Sequence, residues 1–121
     1  MKFEDLDAWK ISRELVRGIY QLTKDAELSR DYGLRDQIQR SAVSVMSNVA
    51  EGFERIGIVE KAHFYNIARA SAGEVRSLLY VLEDNYPNLK ESIPLSKIKA
   101  VEAGKLITGL IASTQRRTAG K

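Results

Sequence analysis

Glu60 and His63 form a Glu-x-x-His pair of the kind with which helical bundles hold two carboxylate-bridged metal ions. That centre needs a second such pair, and His63 is the only histidine in the chain. An imidazole on a helix surface near its first turn is the ordinary reading. The same scarcity argues against Ser-His-Asp hydrolysis, which needs a histidine placed between a nucleophile and an orienting carboxylate. A helical ribonuclease built on a closely spaced Arg and His fails on spacing, since seven residues separate Arg55 from His63. The terminal Ala119-Gly120-Lys121 lacks the preceding glycines and following helix of a phosphate loop. With no cysteine, the chain has neither disulfides nor thiolate metal sites. The expectation is a protein without catalytic residues, metal, cofactor or small-molecule substrate.

Cations are better placed for a function. Lys10, Arg13, Arg17 and Lys24 fall within about 60° of one another on a helical projection and form a stripe about 21 Å long, enough to follow several phosphates. Asp7 and Glu14 lie beside it. Arg69 and Arg76, seven apart, share the polar face of another helix, and Arg40 and Arg55 bracket a third polar surface that holds Ser41, Ser44, Ser47, Asn48 and Glu51. That surface has two readings. Its residues can bind one another and a neighbouring helix, as the i,i+4 pairs Ser44/Asn48, Ser47/Glu51 and Glu51/Arg55 allow. They can also form a donor platform for an anion. Residue chemistry favours the first. Aromatics that stack on bases are few: Trp9 and Tyr20 lie on an apolar arc and are expected in the core, whereas Tyr65 and Tyr80 lie near polar faces.

Four stretches of helical periodicity position these residues, and none shows sustained strand alternation. The pattern predicts helices over about 6–24, 32–55, 58–84 and 95–116, with a basic tail over 116–121. Asp5 is the expected cap of the first helix and Ser29 or Asp31 of the second, and Gly57 is the expected left-handed stop after the second. The third should bury Phe64, Ile67, Ala68, Ser71, Ala72, Val75, Leu78, Leu79 and Leu82. Pro87 and Pro94 should lie outside helices. The fourth should bury Ile98, Ala103, Leu106, Ile107, Leu110 and Ile111. Short connectors make neighbours antiparallel, so the expected fold is a single all-α domain, an up-down-up-down four-helix bundle.

On the second helix the apolar arc spans about 180°, wider than one bundle seam requires. The surplus residues Val43, Met46 and Ala50 fit either a contact with another subunit or the most central helix of four. Charge is uneven. Residues 1–59 carry nine Lys/Arg and ten Asp/Glu, net −1, and residues 60–121 carry ten and six, net +4. Such a balance suits an anionic partner or a solvated tail. No apolar run approaches a membrane span, and the N-terminus "MKFEDLDAWK" is too polar for a signal peptide, so the expected location is the cytoplasm.

Longer strings carry a resemblance. "FEDLDAWKISRELVRGIYQLTKD" (3–25), "YGLRDQIQRSAVSVMSNVAEGFER" (32–55) and Glu60, Phe64, Ile67, Ala68, Ser71 and Glu74 of the third helix resemble the bacterial four-helix-bundle proteins encoded in intervening sequences of 23S rRNA genes, a family that includes the accessory variability proteins of diversity-generating retroelements. The resemblance spans roughly 3–82. It implies a homopentameric ring with a basic surface, no enzymatic activity, nucleic acid as partner with RNA ahead of DNA, and, in the retroelement branch, docking to a reverse transcriptase. Ser47, Asn48, Ala50, Glu51 and Gly52 match the family signature, and Arg40 and Arg55 match its basic positions. Met46 stands where the family usually has proline, which leaves the kink of the second helix without its cause.

Overall fold

Apolar residues recur along four segments at the spacing that gives each helix one dry face, and the computed structural model folds those segments as α1 (Asp7–Leu22), α2 (Tyr32–Glu54), α3 (Ile58–Asn85) and α4 (Ile93–Ala119). It describes the backbone of residues 1–119 and the side chains of residues 1–116. No strand occurs among the described residues. Each helix packs along two others, α1 with α2 and α4, and α3 with α2 and α4, so α1 and α3 occupy diagonal corners of a square. The fold is the expected all-α four-helix bundle. Its core runs along the axis through Leu15, Ile19, Ile38, Val45, Val49, Val75, Leu79, Leu82, Ile93 and Ile107, each fully enclosed.

Several boundaries differ from expectation. Asp5 closes a 3-10 turn, Phe3–Asp5, in which its carboxylate accepts the Lys2 amide at 3.0 Å, and Leu6 is the residue that enters α1. The first helix stops at Leu22. Thr23 turns its hydroxyl back to the Tyr20 carbonyl (3.0 Å) and accepts the Gln39 amide (2.9 Å), so Lys24 lies beyond the helix that was to carry it. Asp31 enters α2 without a side-chain cap. Gly57 has φ −73° and opens α3, so no left-handed residue stops α2. The carbonyls of Gly52 and Phe53 at that end instead accept the Lys61 ammonium at 3.3 and 2.8 Å. Pro94 sits in the first turn of α4, where a missing amide donor costs nothing, and α4 continues to Ala119. The side chains of the predicted basic tail beyond Arg116 lie outside the described residues.

The core is also rotated from expectation at four places. Tyr65 is buried (3% exposed) and Tyr20 is open (43%), the reverse of the assignment from helical phase. Ile67 and Ile98 are exposed. Tyr65 turns inward because Gly52 leaves room for it: a Cβ at Gly52 would stand 2.7 Å from the Tyr65 ring.

Two connectors meet at one end of the bundle. Asp25 Oδ2 accepts the amides of Glu27 and Leu28 at 3.1 Å each, folding the α1–α2 connector, and Asp25 Oδ1 accepts the Asn88 amide from the α3–α4 connector. Tyr86 donates its hydroxyl to Asp31 at 2.7 Å. That hydrogen bond, with lesser help from burial and nearby carboxylates, holds the Tyr86 phenol above its ordinary range.

Candidate nucleic-acid interface

Helix α1 buries Ala8, Ser12, Leu15, Ile19 and Leu22, a stripe that fixes the opposite face toward solvent. Lys10, Arg13 and Arg17 occupy that outer face and are exposed. They span about 10 Å along the axis. Arg13 also lies over the Trp9 ring, 5.7 Å from its centre, which steadies the guanidinium without neutralising it. Among the described residues, no ion pair engages Lys10, Arg13, Arg17 or Lys24.

The polar face of α2 lies against α3. Ser41 donates to Glu74 at 2.6 Å, Ser44 and Ser71 share a hydrogen bond at 2.8 Å, and the Asn48 amide reaches the Ser44 carbonyl and hydroxyl at 2.9 and 3.0 Å. These contacts close a polar seam between the two helices. The cleft of about 510 Å³ beside it is lined by Asp36 and Glu74 as well as Arg40, so it has no net positive character. Arg55 is engaged: it pairs with Glu51 at 2.5 Å and Glu60 at 3.7 Å and rests over Phe64 at 4.7 Å. The structural reading of Ser44, Asn48, Glu51 and Arg55 therefore accounts for the contacts they make.

The signature residues separate into individual roles. Gly52 admits Tyr65, Asn48 ties to the preceding turn, and Glu51 binds Arg55. Ala50 and Met46 are half-buried, and Ser47 and Val43 are exposed. Tyr20 and Val43 line one shallow cleft between α1 and α2, with Asp36, Gln39 and Arg40. Tyr20 follows buried Ile19 and so sits about 100° round α1 from the stripe that enters the core.

Arg69 and Arg76 lie on the α4 side of α3, diagonal to the α1 stripe, so one copy of the chain does not bring the predicted cations onto a single surface. Glu60 is committed to Arg55, and His63 is exposed with its ring edge-on to Phe64 at 5.2 Å. Among the described residues no three His, Asp or Glu side chains gather as a metal set. No helix is long and apolar enough to cross a membrane.

The described residues thus form an antiparallel four-helix bundle with a polar α2/α3 seam and exposed cations on α1 and α3. The chain belongs to the 23S rRNA-intervening sequence protein family, whose model matches residues 4–109. It is similar in fold to the crystal structure of a protein of unknown function from the S23 ribosomal protein family of Bacteroides thetaiotaomicron. That comparison has a TM-score of 0.80 at 23% identity and covers 93% of this chain and 99% of that one. No curated protein matches the chain. Neither name assigns a reaction.

Proposed function

We propose that the protein is a non-enzymatic, self-associating bundle that binds nucleic acid in the cytoplasm, RNA ahead of DNA. The observation that supports it most is the outer face of α1, where Lys10, Arg13 and Arg17 are exposed and without ion-pair partners. Three such cations at helical spacing track a phosphate backbone, and their binding energy comes from releasing counterions. The link of the family to ribosomal RNA genes favours RNA as the anion.

Self-association multiplies weak contacts. Tyr20 and Val43 expose apolar surface between α1 and α2, and half-buried Met46 and Ala50 adjoin it on α2. A second copy packed there, in a ring of five as the family resemblance implies, sets several α1 stripes around one assembly and raises affinity through avidity. Anisotropy titrations of labelled RNA and DNA of one sequence, at rising salt, test the reading. Each engaged phosphate contributes a slope of about −0.7 for single strands in log K against log salt. A slope near zero removes the proposal. So does an RNA affinity unchanged by the combined substitution of Lys10→Glu, Arg13→Glu and Arg17→Glu.

A further inference from the structure

The α3/α4 side of the bundle carries a groove of about 410 Å³ that the α1 stripe does not use. Ala72 and Gly73 of α3 and Ala100 and Gly104 of α4 line it, with Arg69, Arg76 and Lys105 also in its wall. Glycine inside a helix weakens it relative to alanine, so two such glycines call for a reason. Internal packing supplies none: a Cβ at Gly73 or Gly104 would meet nothing within 4 Å. Gly18 and Gly52, by contrast, are pressed by Ser96 and Tyr65, while Gly33 and Gly109 are as open as the groove pair. The two groove glycines keep a surface flat toward the outside, which permits close approach of another backbone.

Charge and polarity narrow what approaches. Among the described residues none of Arg69, Arg76 and Lys105 has an ion-pair partner, and no carboxylate lines the groove. Such a wall favours an anionic occupant. A second copy offers no wholly acidic helix face on α1 or α2, where exposed Lys10, Arg13, Arg17 and Arg40 stand among Asp7, Glu14 and Asp36. The small side chains of the floor offer a phosphate no donor, yet they match the apolar stripe of a helix. Ile98 (60%) on α4 is exposed and apolar, whereas the exposed Tyr80 ring on α3 carries the Lys97 ammonium at 3.7 Å.

We infer that this groove docks an amphipathic helix of a partner protein, its small apolar face on Ala72, Gly73, Ala100 and Gly104 and its acidic flanks against Arg69, Arg76 and Lys105. Helix-in-groove recognition of this kind reads apolar anchors at i, i+3, i+4 and i+7 and uses flanking charge for orientation. The α1 stripe contributes no residue to this groove, and α1 lies diagonal to α3.

The test uses the full chain and a panel of labelled helical peptides about 18 residues long, some 27 Å at helical rise. Ala and Leu form one face of each peptide and Glu the flanks, and counterparts carry Lys in place of Glu. The acidic peptides should bind and the Lys counterparts should not. Arg69→Glu with Arg76→Glu should weaken binding at least tenfold, while the α1 triple substitution leaves it unchanged. Gly73→Ala separates docking from folding, since it should raise the unfolding midpoint yet weaken the peptide severalfold. Equal binding of acidic and Lys peptides overturns the inference, as does unchanged peptide affinity in Gly73→Ala. Loss of RNA binding in place of peptide binding in the Arg69/Arg76 variant assigns the groove to nucleic acid and also overturns it. Loss of RNA binding by the α1 variant alone bears only on the nucleic-acid reading.

Discussion

Replacing Gly52 by alanine should destabilise the bundle, although the same change in most helix interiors stabilises it. An ideal Cβ at this position lies 2.7 Å from Tyr65 Cδ1 and Cε1 and 3.3 Å from the Lys61 carbonyl oxygen. Ordinary contact needs roughly 0.7 Å more. Tyr65 is buried, so its ring retreats only by leaving its rotamer or by moving α3, and overpacking of this kind costs about 1–3 kcal/mol. Against that stands a gain of up to about 1 kcal/mol from helix propensity. The net loss is about 1–2 kcal/mol.

Gly109→Ala is the internal control. It lies mid-helix and exposed, and its new methyl meets nothing within 4 Å, so the propensity gain of up to about 1 kcal/mol stands alone. The two substitutions are chemically identical and opposite in expected sign. Urea unfolding followed by helical circular dichroism, at one protein concentration so that self-association is held constant, reads both midpoints. With a slope of about 1.5 kcal/mol per molar urea, the loss at Gly52 moves the midpoint down by roughly 1 M. Adding Tyr65→Leu should recover part of that loss, a less than additive double change. A Gly52→Ala protein as stable as the Gly109→Ala protein refutes the packing argument.

Val43→Asp or Met46→Asp should lower the mass measured by light scattering toward the 13.6 kDa of one chain while helicity persists; an unchanged mass excludes this face from self-contact. Ser41→Ala removes the hydroxyl that donates to Glu74 and should cost about 1 kcal/mol in the same urea assay, with no effect on RNA affinity. Tyr86 adds a pH dependence. Its phenol titrates above the unfolded value of about 10, so its contribution is full below that value and is lost as pH rises through the raised one. Tyr86→Phe should therefore flatten the alkaline fall in thermal midpoint, and an unchanged alkaline limb means the Asp31 contact does not persist in solution.

Periodicity located all four helices because each has a face rich in Leu, Ile, Val and Ala, and packing one such face is what a bundle demands. It failed where the answer lay on another helix. Tyr65 goes inside because of Gly52, thirteen residues earlier, and no pattern within α3 contains that fact. Tyr20 stays outside because Leu15, Ile19 and Leu22 hold the inward positions of α1, and it lies one residue round from them. Ile98 is apolar but sits on the outer face of α4, where Ala100, Ala103 and Ile107 already take the inner positions. The α1 stripe was legible as three exposed cations at helical spacing, with Lys24, also exposed, just past the end of α1 at Leu22. The partition of Arg69 and Arg76 from that stripe needs the order of helices around the square, which a one-dimensional pattern does not encode. Their companion Lys105 becomes visible only when α3 and α4 lie side by side.

The ties from Asp25 to Asn88 and from Asp31 to Tyr86 join both connectors at one pole, whereas the other pole holds the single α2–α3 hairpin and the ends of α1 and α4. Ties between separate connectors thus sit at one extremity only, while the other is held within its one hairpin by Lys61 and Arg55. Slow amide exchange should concentrate near Leu28 and Leu82 and fade toward Leu6, and unzipping should start from the extremity without connector ties.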